Sequence, residues 1–323
     1  MTGERIAAQD SGRDSRPGER PLVSIVIPCY KQAHLLGDAI ESALAQTYPN
    51  VEIVVVDDGS PDDPGAVVAR YPSVRFVRQP NRGAAAARNA GIRASRGEYI
   101  VFLDGDDVLL PHALDTGVEE LIARPACAFV HGVCERRKLD GTLLKARPIV
   151  EGEVDLYLEL LRGNCVRGLH SVVFRRTAIE AVGGFDEARR QAQDWGLYLK
   201  IARRFPTYGH GRLVSVYRRH GDNVNGRRHA EKMLRHSMEV LYAQRKYIRG
   251  SRAHEAAYQE GVRFVQRLFG EPLVVRMSGH VRAGHFGAAL RDATVLLHYY
   301  PRGLFARAAA KLRGVVRRRP APA

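Results

Sequence analysis

The 323-residue sequence holds no run of the roughly 18 to 20 uninterrupted apolar residues that a membrane-spanning helix needs. Its first 20 residues are polar, rich in Gly and Arg, and lack an apolar h-region, so a disordered leader over 1–20 is expected rather than a secretion signal. Cysteine is scarce. Cys29, Cys127, Cys134 and Cys165 form no C-x-x-C pair and no ladder of short spacings, which reads as free thiols in a reducing compartment. Neither a G-x-x-x-x-G-K-[ST] loop nor a G-x-G-x-x-G fingerprint occurs, so P-loop and dinucleotide-binding readings lose support. Acidic residues run out too: none follows Asp292.

What is present suits a globular chain, 45% apolar and long enough for one large domain or a domain with an appendage. The net charge of +15 is unevenly spread. Residues 201–323 carry 25 Lys/Arg against 7 Asp/Glu, whereas residues 1–200 carry 25 against 28. This asymmetry predicts a near-neutral domain followed by an extension that meets something anionic. No nucleic-acid motif accompanies the charge, so no nucleic-acid partner is expected. The segment "GLFARAAAKLRGVVRRR" (Gly303–Arg319) can form a helix with apolar residues toward one side and basic residues around the rest. That pattern suits an anionic membrane surface, an ordinary packing helix or an anionic partner.

The N-terminal part alternates two periodicities. "VSIVIP" (Val23–Pro28), "VEIVVVDDGS" (Val51–Ser60), "VRFVRQ" (Val74–Gln79) and "YIVFLD" (Tyr99–Asp104) read as strands. Between them, Leu35–Gln46, Asp63–Arg70 and Gly83–Ser95 have helical spacing, and Pro111 is placed to open another helix. Continuous rather than alternating apolar strands predict an α/β fold, a mostly parallel Rossmann-like sheet covered by helices on both faces. From Phe129 the pattern is less regular, with strands at Ser171–Arg176 and Gly211–His220 and a helix at Asp194–Arg204. Beyond Arg227 the chain reads as mostly helical, broken at Gly270–Pro272 and Pro301. The organisation expected is a main domain over 21–226 and a basic helical extension over 227–323.

Polar residues gather where such a sheet binds ligands, outside the carboxyl ends of its strands. The four strands end at Pro28-Cys29-Tyr30, Asp57-Asp58-Gly59-Ser60, Asn81-Arg82-Gly83 and Asp104-Gly105-Asp106-Asp107. One acidic turn alone reads equally as a solvated loop. Acidic clusters on two strands, beside Asn81 and Arg88, suggest one site that handles a diphosphate with a divalent cation.

The segments "VSIVIPCYKQAHLLGDAIESALAQTYPNVEIVVVDDGSPDD", "NRGAAAARNAGIRASRGEYIVFLDGDD", "GGFDE…QDWGLYLKIA" and "YRRHGDN" resemble, in order and spacing, the inverting nucleotide-sugar-dependent glycosyltransferases of family 2, which have the GT-A fold. The resemblance covers about Pro21 to Asn225. It implies that Pro28 and Tyr30 line a nucleoside pocket, that Asp58, with Asp57, bonds the base (usually uracil), and that Asn81 and Arg88 border the nucleotide or sugar. It assigns Asp104 to ribose or sugar, Asp106 to a Mn²⁺ or Mg²⁺ ion, Asp194 to the catalytic base and His220 to the neighbourhood of the cation. Gly105 would let the backbone turn close to the nucleotide, and Asp107 reads as the cap of the helix opening at Pro111. Trp195 reads as core or acceptor wall, and His170 as structural or facing the acceptor. Two departures stand out: Lys31 where Asn is frequent, and Gln193 where an acid often precedes the base. An ordinary ionised carboxylate suffices for that base.

The resulting expectation is transfer of a sugar from a nucleotide-sugar donor, UDP-linked, to a glycan or lipid-linked acceptor, in the cytoplasm or at the inner face of the cell membrane. A catalytically silent module that binds nucleotide sugar or glycan is the alternative, opposed by the joint presence of Asp106, Asp194 and His220. A sugar-phosphate nucleotidyltransferase would carry a Gly-rich basic loop after its first strand, and "PCYKQAHLL" is not one.

Overall fold

The computed structural model describes residues 20–144, 149–220 and 230–305. The expected leader, apart from Arg20, and Gly303–Arg319 beyond Phe305 lie outside the described residues, as does the "GDN" of "YRRHGDN".

The apolar runs become the centre of a sheet. β1 (Val23–Cys29) is buried along its whole length and is followed by α1 (Ala33–Leu44), β2 (Val51–Asp57) and α2 (Pro64–Val68). Then come β3 (Val74–Arg78), α3 (Ala84–Ala94) and β4 (Tyr99–Phe102). These four strands are parallel, in the order β3-β2-β1-β4. Successive side chains of β1 point to opposite faces, as pleating requires. Val23, Ile25 and Ile27 join α1, through Leu36, Ala39 and Ile40, in one core. Val26 faces the other way, into a core with Ile100 and Phe102. There α3 lies so close that a Cβ on Gly91 would stand 2.2 Å from a Val26 methyl, so this helix position requires glycine.

After β4 the sheet becomes mixed. The two-residue β5 (Val108–Leu109) leads into α4 (Ala113–Ala123), then β6 (Phe129–Lys138), β7 (Leu143–Leu144) and α5 (Leu156–Arg162). A 3₁₀ turn at Leu169–Ser171 enters β8 (Val172–Arg175), followed by α6 (Arg176–Ala181), α7 (Gln193–Ala202) and β9 (Thr207–Arg219). Strand order continues β4-β8-β6-β9-β5, with β7 on β6. β6 was illegible in the sequence because only its first half is apolar; "CERRK" runs out of the core into solvent.

The extension is helical, as expected: α8 (Ala230–Tyr242), α9 (Arg245–Ile248), α10 (Arg252–Val265), α11 (Glu271–Arg282) and α12 (Phe286–Tyr299). It shares a core with α5 and α7, joining Leu160 and Tyr198 to Leu234, Val274 and Leu296. The expected break at Gly270–Pro272 is absent. A π turn at Gln266–Gly270 joins α10 to α11, and Gly270 keeps helical dihedrals (φ −71, ψ −45). The wider turn accommodates Pro272, which has no N–H to donate and would crowd a regular turn. Glycine is needed at 270 for packing: a Cβ there would stand 2.6 Å from the Tyr300 ring.

His131, buried in β6, has a stability consequence. Burial, with a smaller push from His210, lowers its pKa to about 4. An unfolded histidine titrates near 6.5, so the unfolded state binds more protons between those values. Stability is therefore expected to fall as pH drops from about 6.5 to about 4, by up to about 3 kcal/mol for this residue. Chemical denaturation across that range should give a shallower slope for His131→Gln than for the wild type.

Candidate active site

Chain order places the site. From β1 the chain winds outward through β2 and β3, then returns to the other side of β1 as β4. This reversal opens a crevice at the carboxyl ends of β1 and β4, where open α/β sheets take ligands.

The β1 and β2 loops form one wall. Ser60 Oγ receives the Lys31 N–H (3.2 Å), and the Asp57 carboxylate receives the Ser60 N–H (2.8 Å) while ion-pairing with Arg78 (3.2 Å). Asp58 is buried and accepts from Gln79 Nε2 (2.7 Å), Arg82 N (2.8 Å) and Gly83 N (2.7 Å). It therefore fixes the loop carrying Asn81, which is exposed at the rim. Pro28 lies within β1, and Tyr30 stands exposed at the mouth. Lys31 is left-handed at φ +58. Asn tolerates that conformation better than Lys, so the departure at 31 carries a backbone cost.

Arg88, buried on α3, is the hub of the opposite wall. Its guanidinium donates to Asp104 (2.6 Å) and to Gln193 Oε1 (2.8 Å). Burial pushes the Asp104 carboxyl up, but the Arg88 charge and hydrogen bond outweigh it and hold the pKa below the usual value. Gln193 thus fills the position of the missing acid as a neutral acceptor, and also donates to Arg189 O (2.8 Å). Asn89, one residue on, ties α3 to the "GGFDE" segment through Phe185 and Glu187.

Asp194 lies in the first turn of α7, with Ala192 as the N-cap. Its Oδ2 accepts from Asn164 Nδ2 (3.0 Å). Burial raises its pKa, against the Trp195 N–H, Arg88 and Asn164, which lower it; the Asp104 charge adds to the rise. The expectation of an ordinary carboxylate is corrected accordingly. Asn164, on the loop after α5, went unnoticed because nothing local links it to a residue 30 positions on. Asn164→Ala removes a hydrogen bond to a charged group, so kcat is expected to fall about tenfold with donor KM little changed, as steady-state kinetics would show.

The D-x-D turn divides its carboxylates. Asp106 Oδ2 meets His220 Nε2 at 3.0 Å, both side chains being largely buried. β5 pairs antiparallel with β9, which carries His220 back to the turn across 114 residues. Burial first, then the charges of Asp107 and Asp104, push the Asp106 pKa up to about 6 despite His220. Gly105 is not left-handed, and a Cβ there would meet the Gln32 side-chain tip (Oε1) at 3.3 Å and Pro28 O at 3.5 Å.

Asp107 is not a helix cap. It is wholly buried, accepts the Arg218 N–H of β9 (2.8 Å) and ion-pairs with His170 Nδ1 (3.1 Å), while His112 occupies the N-cap of α4. His170 Nε2 lies 3.1 Å from Cys134 Sγ. Burial alone would depress the His170 pKa, but Asp107, with Cys134, holds it well above the usual value. His170 is therefore interior. Trp195 is interior as well, donating from Nε1 to Leu160 O (2.9 Å). Arg218 lashes the turn further, donating to Asp106 O and pairing with Asp38.

The donor set suits a divalent cation. A carboxylate and an imidazole converge, and the carboxylate is raised by burial first and then by neighbouring negative charge that a cation would relieve. Among the described residues no three His, Cys, Asp or Glu side chains are grouped to hold one ion.

A mixed, mostly parallel sheet flanked by helices, with a helical C-terminal region, is the GT-A fold. The chain belongs to glycosyl transferase family 2, whose sequence model matches residues 24–183. Chondroitin synthase of Escherichia coli is 31% identical over 212 residues, covering 64% of this chain but only 30% of the synthase. TarS 1–349 of S. aureus, solved with UDP, aligns at TM-score 0.58 and 18% identity over 77% of this chain and 72% of its own. The mannosyltransferase PcManGT of Pyrobaculum calidifontis, solved with GDP-Man and Mn²⁺, aligns at TM-score 0.56 and 23% identity over 92% and 88%. At those identities the two structures speak to the fold.

Proposed function

We propose that the chain is a metal-dependent inverting glycosyltransferase that moves a sugar from a nucleotide-sugar donor, UDP-linked, to a hydroxyl of a glycan or lipid-linked acceptor. The observation that carries this reading is the linkage of base and donor sites: Arg88 bridges Asp104 and Gln193, and Gln193 directly precedes Asp194 on α7. UDP in the TarS structure, GDP-Man in PcManGT and the polysaccharide named in chondroitin synthase support the donor and acceptor classes.

In this mechanism Asp194 accepts the proton of the attacking hydroxyl, a role typically worth about 10²–10⁴-fold. Its raised pKa improves it as a proton acceptor, and Asn164 aims it. Arg88 holds Asp104 ionised for the ribose or sugar hydroxyls, while Tyr30 and the Asp57–Asp58 loop take the nucleoside. Asp106 and His220 would hold the Mn²⁺ or Mg²⁺ ion, which neutralises charge developing on the departing diphosphate. The basic C-terminal third would keep the enzyme peripheral at the cytoplasmic face of the membrane, near a lipid-linked acceptor.

The test is nucleoside diphosphate release from a panel of nucleotide sugars with Mn²⁺. At least one UDP-sugar should turn over, chelation should stop release and added Mn²⁺ should restore it. Asp106→Asn should raise the Mn²⁺ concentration for half-maximal rate by about tenfold or more, since a neutral amide is a poorer ligand for a hard cation. Binding of nucleotide sugar without release, with any metal or acceptor, would instead mark a silent module.

A further inference from the structure

Among the described residues, the α11–α12 hairpin exposes large apolar side chains. Phe286 and Leu290 are each 69% exposed and Leu297 51%. At about 100° per residue these three positions fall within an arc of about 40° on α12, so they form one stripe along the helix. Val281 is exposed at the end of α11, just before the turn at Gly284 (φ +74). The apolar stripe therefore begins at the tip of the hairpin.

The exposed charge near the tip of this stripe has one sign. Over the hairpin itself the charged residues are Arg276, Arg282 and Arg291 with two acids, Glu271 at the end away from the tip and Asp292. Asp292 is buried between the helices, where Arg276 binds it twice, at 2.6 and 3.0 Å. The carboxylate thus clamps the hairpin shut internally and adds no negative charge to its surface. Arg282 and Arg291 are exposed on either side of the turn. Around the tip, exposed apolar side chains stand among exposed arginines, and the exposed carboxylate of α11, Glu271, lies at the helix end away from the tip; the tip thus complements the boundary between anionic headgroups and acyl chains. No helix of the described residues is long and apolar enough to cross a membrane, so the contact is interfacial.

We infer that the α11–α12 hairpin docks on an anionic lipid surface, with Phe286 and Leu290 entering the acyl boundary and Arg282 and Arg291 on the headgroups. This rests on the peripheral-membrane reading above and assigns the contact to the hairpin rather than to the basic tail at 306–323.

The test is flotation of the full chain with phosphatidylcholine vesicles, with or without phosphatidylglycerol. Wild type should bind the anionic vesicles, less as salt rises. Phe286→Ser/Leu290→Ser and, separately, Arg282→Glu/Arg291→Glu should each lower partitioning by about tenfold or more. Their thermal midpoints and soluble nucleoside diphosphate release should stay at wild-type values. Charge reversal at Arg317, Arg318 and Arg319 should leave a clear part of the binding. If that reversal abolishes binding while the hairpin variants bind normally, the tail is the anchor and the hairpin assignment fails, though the membrane reading stands. No wild-type binding overturns both. A dimer in light scattering that Phe286→Ser/Leu290→Ser dissolves, without vesicle binding, assigns the stripe to a second copy and overturns the inference.

Discussion

Asp194→Asn is expected to lower kcat by about 10²–10⁴-fold while donor KM stays close to wild type. The substitution is nearly isosteric. Its amide oxygen can still accept from Asn164, so α7 and Trp195 should keep their places. What is lost is the basic oxygen that takes the acceptor proton, an interaction made only as the reaction proceeds. A second readout separates chemistry from structure. Because burial raises the Asp194 pKa, the wild-type rate should climb with pH through a point above the ordinary aspartate value and then level off. The Asn variant has nothing to titrate there, so its residual rate should lack that limb. Metal must be saturating, because Asp106, raised to about 6, would otherwise add an acidic limb of its own. A variant that releases nucleoside diphosphate within about threefold of wild type would remove Asp194 from the role of general base.

The parts of this site readable from the sequence are those where local pattern and topology coincide. Each parallel strand is a continuous apolar run ended by polar residues, so the edge holding Asp58, Asp104 and Asp106 follows from strand polarity alone. The resemblance to family 2 then singled out Asp194 and His220, which strand polarity could not. Contacts closed by distant chain returns were not legible. Asn164 reaches Asp194 from an irregular loop, and Arg218 reaches the D-x-D turn from a strand more than 100 residues on. Gln193 looked like a lost acid. Its role as the acceptor for Arg88 emerges only once α3 and α7 are seen side by side. The π turn at Gln266–Gly270 misled for a related reason: a Gly-Glu-Pro sequence signals a helix end, but interhelical packing around Tyr300 kept the helix going.

Asp107 is wholly buried rather than a helix cap, and its loss should have the largest effect on stability. Asp107→Ala is expected to cost about 3–5 kcal/mol, because it leaves an ionised histidine buried without its counter-charge. It also removes an acceptor of the Arg218 N–H. Urea unfolding of Asp107→Ala, His170→Leu and the double variant would separate the pair from its surroundings. If the ion pair dominates, the double variant should be more stable than Asp107→Ala, since removing both charges removes the unpaired one. A double variant as unstable as the sum of the singles would show that the two side chains act independently. The pH dependence has a definite sign. The folded His170 pKa is raised, so its stabilisation is complete below about 6.5 and declines as pH rises through the folded value. His131 works in reverse, losing stability below about 6.5. The wild type should therefore be most stable near the ordinary histidine pKa, and His170→Leu should lose only the alkaline slope. The crowded charge of "LDGDD" then has two physical origins. Asp104 and Asp106 face the crevice, whereas Asp107 faces inward to fasten β9, and with it His220, against the turn.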